Sequence, residues 1–322
     1  MDRVRAAIFT RYGPPEVLQV RQVSRPEPGP GQVLVRVYAT TVTTAECLMR
    51  HGRPIWGRLV IGVLRPRRRT RVLGMELAGE IAAVGRGVTT FRPGEQVYGF
   101  TAFRLGGYAE YACLPADASL VAKPANLPYE LAVAAVDGGS TALYFLRDLA
   151  GVRPGQRVLV NGAAGSVGGY AVQLAKHLGA HVTGVCGARN VELVTSLGAD
   201  RVVDYGAEDF TAGAERYDVV FDAVGKSSFR KARRVLTPTG CYLSTTGLWN
   251  VVLAILTRLR PGPRVRAGMS VRKHEALRYL RELLERDGLR IVVDRQYSLD
   301  EIVEAHRYVE TGHKRGNVVV TV

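Results

Sequence analysis

Residues 157–185 constrain this chain more than any other stretch. Val158 to Val160 is an apolar run that reads as a buried parallel strand. The small-residue turn Gly162-Ala-Ala-Gly165-Ser-Val-Gly168 follows it. A helix comes next, with Val167, Ala171, Leu174, Ala175 and Leu178 on one face and Gly179 as its stop. His181 to Val185 then supplies a second strand, completing a β-α-β unit. A glycine turn between strand and helix lets backbone amides, here from Ala164 to Gly168, approach a pyrophosphate. The helix dipole and the N–H groups of its first turn favour negative charge there.

The end of the second strand bears on which dinucleotide is taken. A ribose 2′-hydroxyl is normally held by an acid about 20 residues beyond the first glycine. Here the strand runs into Gly184-Val-Cys-Gly187-Ala-Arg189-Asn190, with no acid before Glu192. Arginine in the absence of a carboxylate suits a 2′-phosphate, so NADP(H) is expected rather than NAD(H).

The surrounding sequence divides in two. The first 120 residues are β-rich: Arg5 to Thr10, Leu18 to Val23, Val33 to Ala39 and Glu80 to Val84 read as strands between Pro- and Gly-rich turns. From Asn126 to about Thr246 helix and strand alternate, as in a doubly wound parallel sheet. Helices are expected over Glu130 to Ala150, Asn190 to Leu197 and Lys226 to Leu236. The tail continues with an amphipathic helix from His274 to Asp287, a strand at Ile291 to Val293, a helix at Leu299 to Thr311 and a strand at Asn317 to Val322. A length of 322 residues fits two domains. The N-terminus carries no signal region, no run of 18 apolar residues occurs, and the four cysteines are far apart. These features fit a reducing cytoplasm and give no disulfide framework or zinc finger. The formal charge of +15 rests on 38 arginines against six lysines. Only 65–71 is a true basic cluster, and no basic helix with interleaved aromatics marks a nucleic-acid reader.

Four motifs occur in order: Gly74-Met-Glu-Leu-Ala-Gly79-Glu-Ile-Ala-Ala-Val-Gly85, Phe91-Arg-Pro-Gly94-Glu-Gln-Val-Tyr-Gly99, Gly107-Tyr-Ala-Glu-Tyr111 and Ala163-Ala-Gly-Ser-Val-Gly168. Across nearly the whole chain they resemble the medium-chain dehydrogenase/reductase superfamily, and most specifically its zinc-independent quinone oxidoreductase and zeta-crystallin-like branch. The resemblance implies an α/β fold. A GroES-like β-barrel catalytic domain, split in sequence (1–125 and 270–322), would surround an inserted Rossmann domain with a doubly wound parallel sheet (126–269).

Zinc-dependent relatives carry a histidine after the glycine where Gly74-Met75 stands, and thioether is not a normal ligand of catalytic zinc. Cys47 alone makes no three-ligand site, the four-cysteine lobe is absent, and the six histidines show no ligand spacing. No metal is expected. Without one, hydride delivery to an electron-poor acceptor, a quinone or an α,β-unsaturated carbonyl, becomes the natural chemistry. The protein would orient the reactants, hydrogen-bond the developing oxyanion and exclude water.

The resemblance also implies roles residue by residue. It puts 41–52 on the wall facing the nicotinamide, with Thr43 (commonly asparagine in quinone oxidoreductases) as hydroxyl donor to the substrate. Glu46 and Arg50 would be catalytic, or else an i,i+4 ion pair. Thr141 would lie beside the nicotinamide and phosphates, Tyr205 near the 2′-phosphate, and Val224 at the strand-end loop 222–225 where the nucleotide docks. Arg315 and Asn317 would close over the cofactor from the tail.

The partner expected is thus a small electron-poor acceptor, in a homodimeric cytoplasmic enzyme. Two alternatives stay open: an alcohol dehydrogenase acting on another carbonyl/alcohol pair, or an RNA- or membrane-surface-binding protein on a dehydrogenase scaffold. Two apolar stretches with basic flanks, 56–64 and 248–256, are too short to span a bilayer. They read as a roof over an apolar tunnel, a dimer contact, or a membrane-surface rest.

Overall fold

The computed structural model describes residues 2–247, 249–258, 260–271 and 273–322. Its contacts divide the chain into one unit of 1–137 with 272–322 and a second of 138–271. The expected boundary after residue 125 therefore moves to 137. The reason is local to the first unit. The Asp137 amide donates to Glu76 Oε2 at 2.9 Å, and the Asp137 carboxylate pairs with Lys273.

The first unit opens with the antiparallel pair β1 (Arg3–Ile8) and β2 (Gln19–Ser24). Next come β3 (Gln32–Thr41), α1 (Thr44–His51), α2 (Arg58–Ile61), β4 (Glu76–Val84), β5 (Gln96–Phe100), β6 (Tyr111–Pro115), β7 (Ser119–Ala122) and α3 (Tyr129–Ala134). Val33, Val35 and Val37 alternate onto one face of β3 and pack with Leu77, Ile81, Val97, Leu114 and Leu120. α4 (Val136–Leu143) carries the chain into the second unit. The expected helix 130–150 is thus broken into α3, α4 and the π-helical stretch Tyr144–Ala150.

The second unit holds β8 (Arg157–Asn161), α5 (Ser166–His177), β9 (His181–Cys186), α6 (Val191–Ser196), β10 (Arg201–Asp204), β11 (Tyr217–Asp222), α7 (Phe229–Ala232), β12 (Leu236–Ser244), α8 (Trp249–Arg258) and β13 (Arg264–Arg266). Its six strands are parallel in the order β10-β9-β8-β11-β12-β13. Counted from β8, this is the 3-2-1-4-5-6 order of a dinucleotide-binding sheet. The helix expected over 226–236 shrinks to α7. The buried Asp222 carboxylate takes the amides of Val224, Lys226 and Ser227, holding the preceding segment as a loop. β13 was not legible in sequence; Val265 is its only buried residue.

The chain then returns to the first unit with α9 (His274–Glu285), β14 (Val293–Ser298), α10 (Ile302–Glu310) and β15 (Asn317–Thr321). There β14-β15-β3-β4-β5-β7 form one sheet, with β6 paired to β3. Among the described residues, no helix is long and apolar enough to cross a membrane.

Candidate active site

The glycine turn is built by close approach. Gly162 has φ +82°, and a Cβ on it would meet the Val224 side chain at 2.3 Å. The loops leaving β8 and β11 therefore touch at the point where strand order reverses, the position at which dinucleotides bind such sheets. A Cβ on Gly168 would lie 2.0 Å from the Gly162 carbonyl oxygen, so only glycine lets α5 start this close to the turn. Gly165 is the N-cap of α5 and supplies no side-chain cap, and its own amide donates to the Gly162 carbonyl at 3.0 Å, closing the turn. Asn161 Nδ2 donates to the buried Asp222 at 3.0 Å and ties the two strand ends together.

The end of β9 leads into the loop that carries Arg189 and Asn190. Arg189 is exposed and makes no ion pair among the described residues, and Asn190 carries a buried Oδ1 without a hydrogen-bond partner. Tyr205 donates its backbone N–H to Cys186 and lays its ring against Gly187, where a Cβ would meet the phenol oxygen at 2.9 Å. Thr141 lies on α4 in the same unit, and Val224 is exposed on the β11 loop. The residues present thus fit a dinucleotide: a turn whose Gly162 and Gly168 admit no Cβ opens onto α5, and the exposed Arg189 follows the end of the neighbouring strand.

Arg315 and Asn317 belong to the first unit. The Arg315 amide donates to Asp294 and the Asn317 side chain to the Val292 carbonyl, so these bonds hold the β14–β15 edge.

Thr43, Glu46 and Arg50 also lie in the first unit, Thr43 and Glu46 at the start of α1 and Arg50 in its last turn. Thr43 is its N-cap, in a capping box with Glu46. Glu46 Oε2 accepts from the Thr43 amide at 2.8 Å and from its hydroxyl at 3.1 Å, while Oε1 accepts from the Met75 amide at 2.7 Å. Glu46 is fully buried, and burial pushes its carboxyl up to about 7 against the pull of these donors. The neighbouring Glu76 carboxyl is raised as well, by burial and then by Asp137. It accepts from Thr41 Oγ1 at 2.6 Å.

Arg50 does not pair with Glu46. Fully buried, it donates from Nη1 to the Gly13 carbonyl at 2.6 Å and from Nε to His306 Nδ1 at 3.3 Å, and it pairs with Glu310. The expected catalytic pair is therefore two groups bonded to separate protein partners. His306, on α10, is fully buried and held neutral: burial, then Arg50, lowers it to about 3. Its Nδ1 accepts from Arg50, so Nε2–H donates to the Tyr108 hydroxyl at 3.2 Å, and Tyr108 in turn hydrogen-bonds Glu46. His306 and Tyr108 were missed in sequence because α10 and the Gly107-Tyr108 turn are about two hundred residues from each other. No local spacing announces their meeting.

Cys47 Sγ lies 3.4 Å from His306 Nδ1, and burial pushes the thiol up to about 12. A cation held between these two atoms would face the Arg50 guanidinium, so the donor set does not fit zinc.

Comparison with known proteins follows the same lines. Residues 29–125 match the model of the alcohol dehydrogenase GroES-like domain, and 197–320 match the zinc-binding dehydrogenase model. The chain is 31% identical to the chloroplastic quinone-oxidoreductase QR1 of Triphysaria versicolor, over 98% of each. It belongs to the medium-chain dehydrogenase/reductase superfamily, in the quinone oxidoreductase branch. Similarity also extends to a 2-haloacrylate reductase of Burkholderia sp, at 30% identity over 98% of each chain. The quinone oxidoreductase structure from Coxiella burnetii aligns over 100% of both chains with TM-score 0.89 and 32% identity. As a medium-chain dehydrogenase/reductase of this branch, the protein is an oxidoreductase with a GroES-like domain and a Rossmann sheet, and its family uses NAD(P)H.

Proposed function

We propose that this medium-chain dehydrogenase/reductase is a zinc-independent NADPH-dependent reductase of quinones or α,β-unsaturated carbonyls. The observation that carries the cofactor choice is Arg189 just past the end of β9, exposed and making no ion pair among the described residues, with no acid in that loop before Glu192. Ala164 to Gly168 would hold the pyrophosphate, and Thr141 and Val224 would border the nicotinamide half. Roles for Arg315 and Asn317 toward the cofactor rest on family resemblance. When bound, the reduced nicotinamide supplies hydride.

The chain's own residues supply the proton side of the reaction. The Thr43 hydroxyl donates to the oxygen on which charge develops, and Glu46, 3.1 Å away and poised near neutrality, restores that proton. Arg50, His306 and Tyr108 act as positioning residues: their bonds fix the carboxyl that fixes Thr43. Zinc independence is supported by Met75 at the family's histidine position and by the arginine beside the Cys47–His306 pair. Quinone and haloacrylate reduction by the relatives are both hydride deliveries to a conjugated acceptor, which supports the substrate class.

The testing experiment is fluorescence titration with NADPH and NADH, on the native protein and on Arg189→Ala. Loss of one charge-assisted contact predicts roughly 10- to 100-fold weaker NADPH binding with NADH unchanged. Equal loss for both dinucleotides would overturn the assignment of Arg189. We further propose a homodimer, tested by light scattering on the eluted protein.

A further inference from the structure

The segment between α1 and β4 has no part in the chemistry above, yet it is firmly built. Of the apolar residues in 55–64, Ile61 alone points inward. Its carbonyl accepts from the Arg67 amide at 2.9 Å and from Thr70 Oγ1 at 2.7 Å. Gly62 has φ +146°, and a Cβ there would lie 2.0 Å from the Arg65 carbonyl oxygen, so the turn requires glycine. The Arg58 guanidinium stacks over the Tyr12 ring at 4.6 Å. These contacts hold Ile55, Trp56, Leu59, Val60, Val63 and Leu64 outward, each at least 40% exposed and Leu64 to 91%. Beside them stand Arg65, Arg67, Arg68 and Arg69, all exposed. Between residues 47 and 75 there are eight arginines and no aspartate or glutamate.

An exposed apolar group of this size marks an interaction site. The arginines beside it select an anionic partner, and its leucine, isoleucine, valine and tryptophan side chains need an apolar phase. A nucleic-acid backbone meets only the first requirement. The surface of an anionic bilayer meets both: apolar side chains enter the headgroup–acyl boundary, tryptophan sits at the interface, and arginines meet lipid phosphates. We infer that residues 55–69 form a docking loop for anionic phospholipid membranes, independent of which acceptor the enzyme reduces.

The chain has two tryptophans, so Trp249→Phe leaves Trp56 as sole reporter. This variant is mixed with vesicles of phosphatidylcholine alone or of phosphatidylcholine with phosphatidylglycerol. Docking predicts cosedimentation and a blue shift of Trp56 emission with the anionic vesicles only, weakening as salt is raised. Adding Leu59→Ser and Leu64→Ser is expected to remove the blue shift. Replacing Arg67, Arg68 and Arg69 by glutamine should weaken binding about fivefold per arginine, on the order of a hundredfold together. All changes are at exposed positions, and unchanged circular dichroism melting checks the fold.

Three results would overturn the inference. One is an unshifted Trp56 on anionic vesicles. A second is conversion of a dimer to monomers by the leucine pair, which would make a second copy the occupant. The third is RNA retardation that depends on the arginines without vesicle binding.

Discussion

Glu46→Gln is the perturbation that most sharply separates a poised carboxyl from a purely structural one. The wild-type carboxyl is raised from 4.5 to about 7, chiefly by burial. Below pH 4.5 it is protonated in folded and unfolded chains alike, and its contribution to stability is fully present. As pH rises, the unfolded chain releases its proton first, and stability is lost until the folded group ionises near 7. At about 1.4 kcal/mol per pH unit, the loss is up to about 3 kcal/mol. Glutamine is uncharged throughout, but its amide turns one acceptor into a donor. At Oε1 it faces the Met75 N–H, at Oε2 both Thr43 donors. The better choice leaves one buried donor unmet, costing about 1–3 kcal/mol.

The variant is therefore expected to be less stable than wild type at about pH 5, with the gap closing or reversing by about pH 8. Urea midpoints of both proteins across that range measure the difference, and in that difference the titration of His306 largely cancels. A gap that stays constant or widens with pH would refute the raised carboxyl and the proton role assigned to it.

Other outcomes test the rest of the account. Gly168→Ala places a methyl 2.0 Å from the Gly162 carbonyl, so dinucleotide binding should be lost and the thermal midpoint should fall, by overpacking of about 1–3 kcal/mol or more. With its thiol raised to about 12 by burial, Cys47 should resist iodoacetamide at about pH 8 while half-buried Cys113 reacts, as read by mass spectrometry. His306→Leu strands Arg50 Nε and the Tyr108 hydroxyl, and should destabilise the protein by several kcal/mol, measured by urea unfolding.

What the sequence disclosed was whatever is encoded locally. The strand, glycine turn and helix over 157–178 appear as β8 and α5, because turn chemistry and helical periodicity act over a few residues. The Val33 alternation marked β3, whereas β5, β6 and β7 are four- or five-residue strands whose pattern is too short to read. Helix lengths failed where tertiary bonds intervene, as with Asp222 drawing the 224–227 amides away from an early start to α7. The stretch 248–256 becomes the exposed α8, with Trp249 at its start; Leu248 and Met1 lie outside the described residues. The network joining Arg50, His306, Tyr108 and Glu46 was invisible for the opposite reason: its members come from α1, the turn before β6 and α10, brought together only by folding.

The most direct test of the central claim is NADPH consumption by metal-stripped enzyme with 1,4-naphthoquinone or a 2-enal as acceptor, alongside NADP+ reduction with simple alcohols. The account predicts hydride transfer from NADPH to the conjugated acceptors, undiminished by chelator, and none from the alcohols. Alcohol oxidation restored by added zinc, with conjugated acceptors left unreduced, would contradict it.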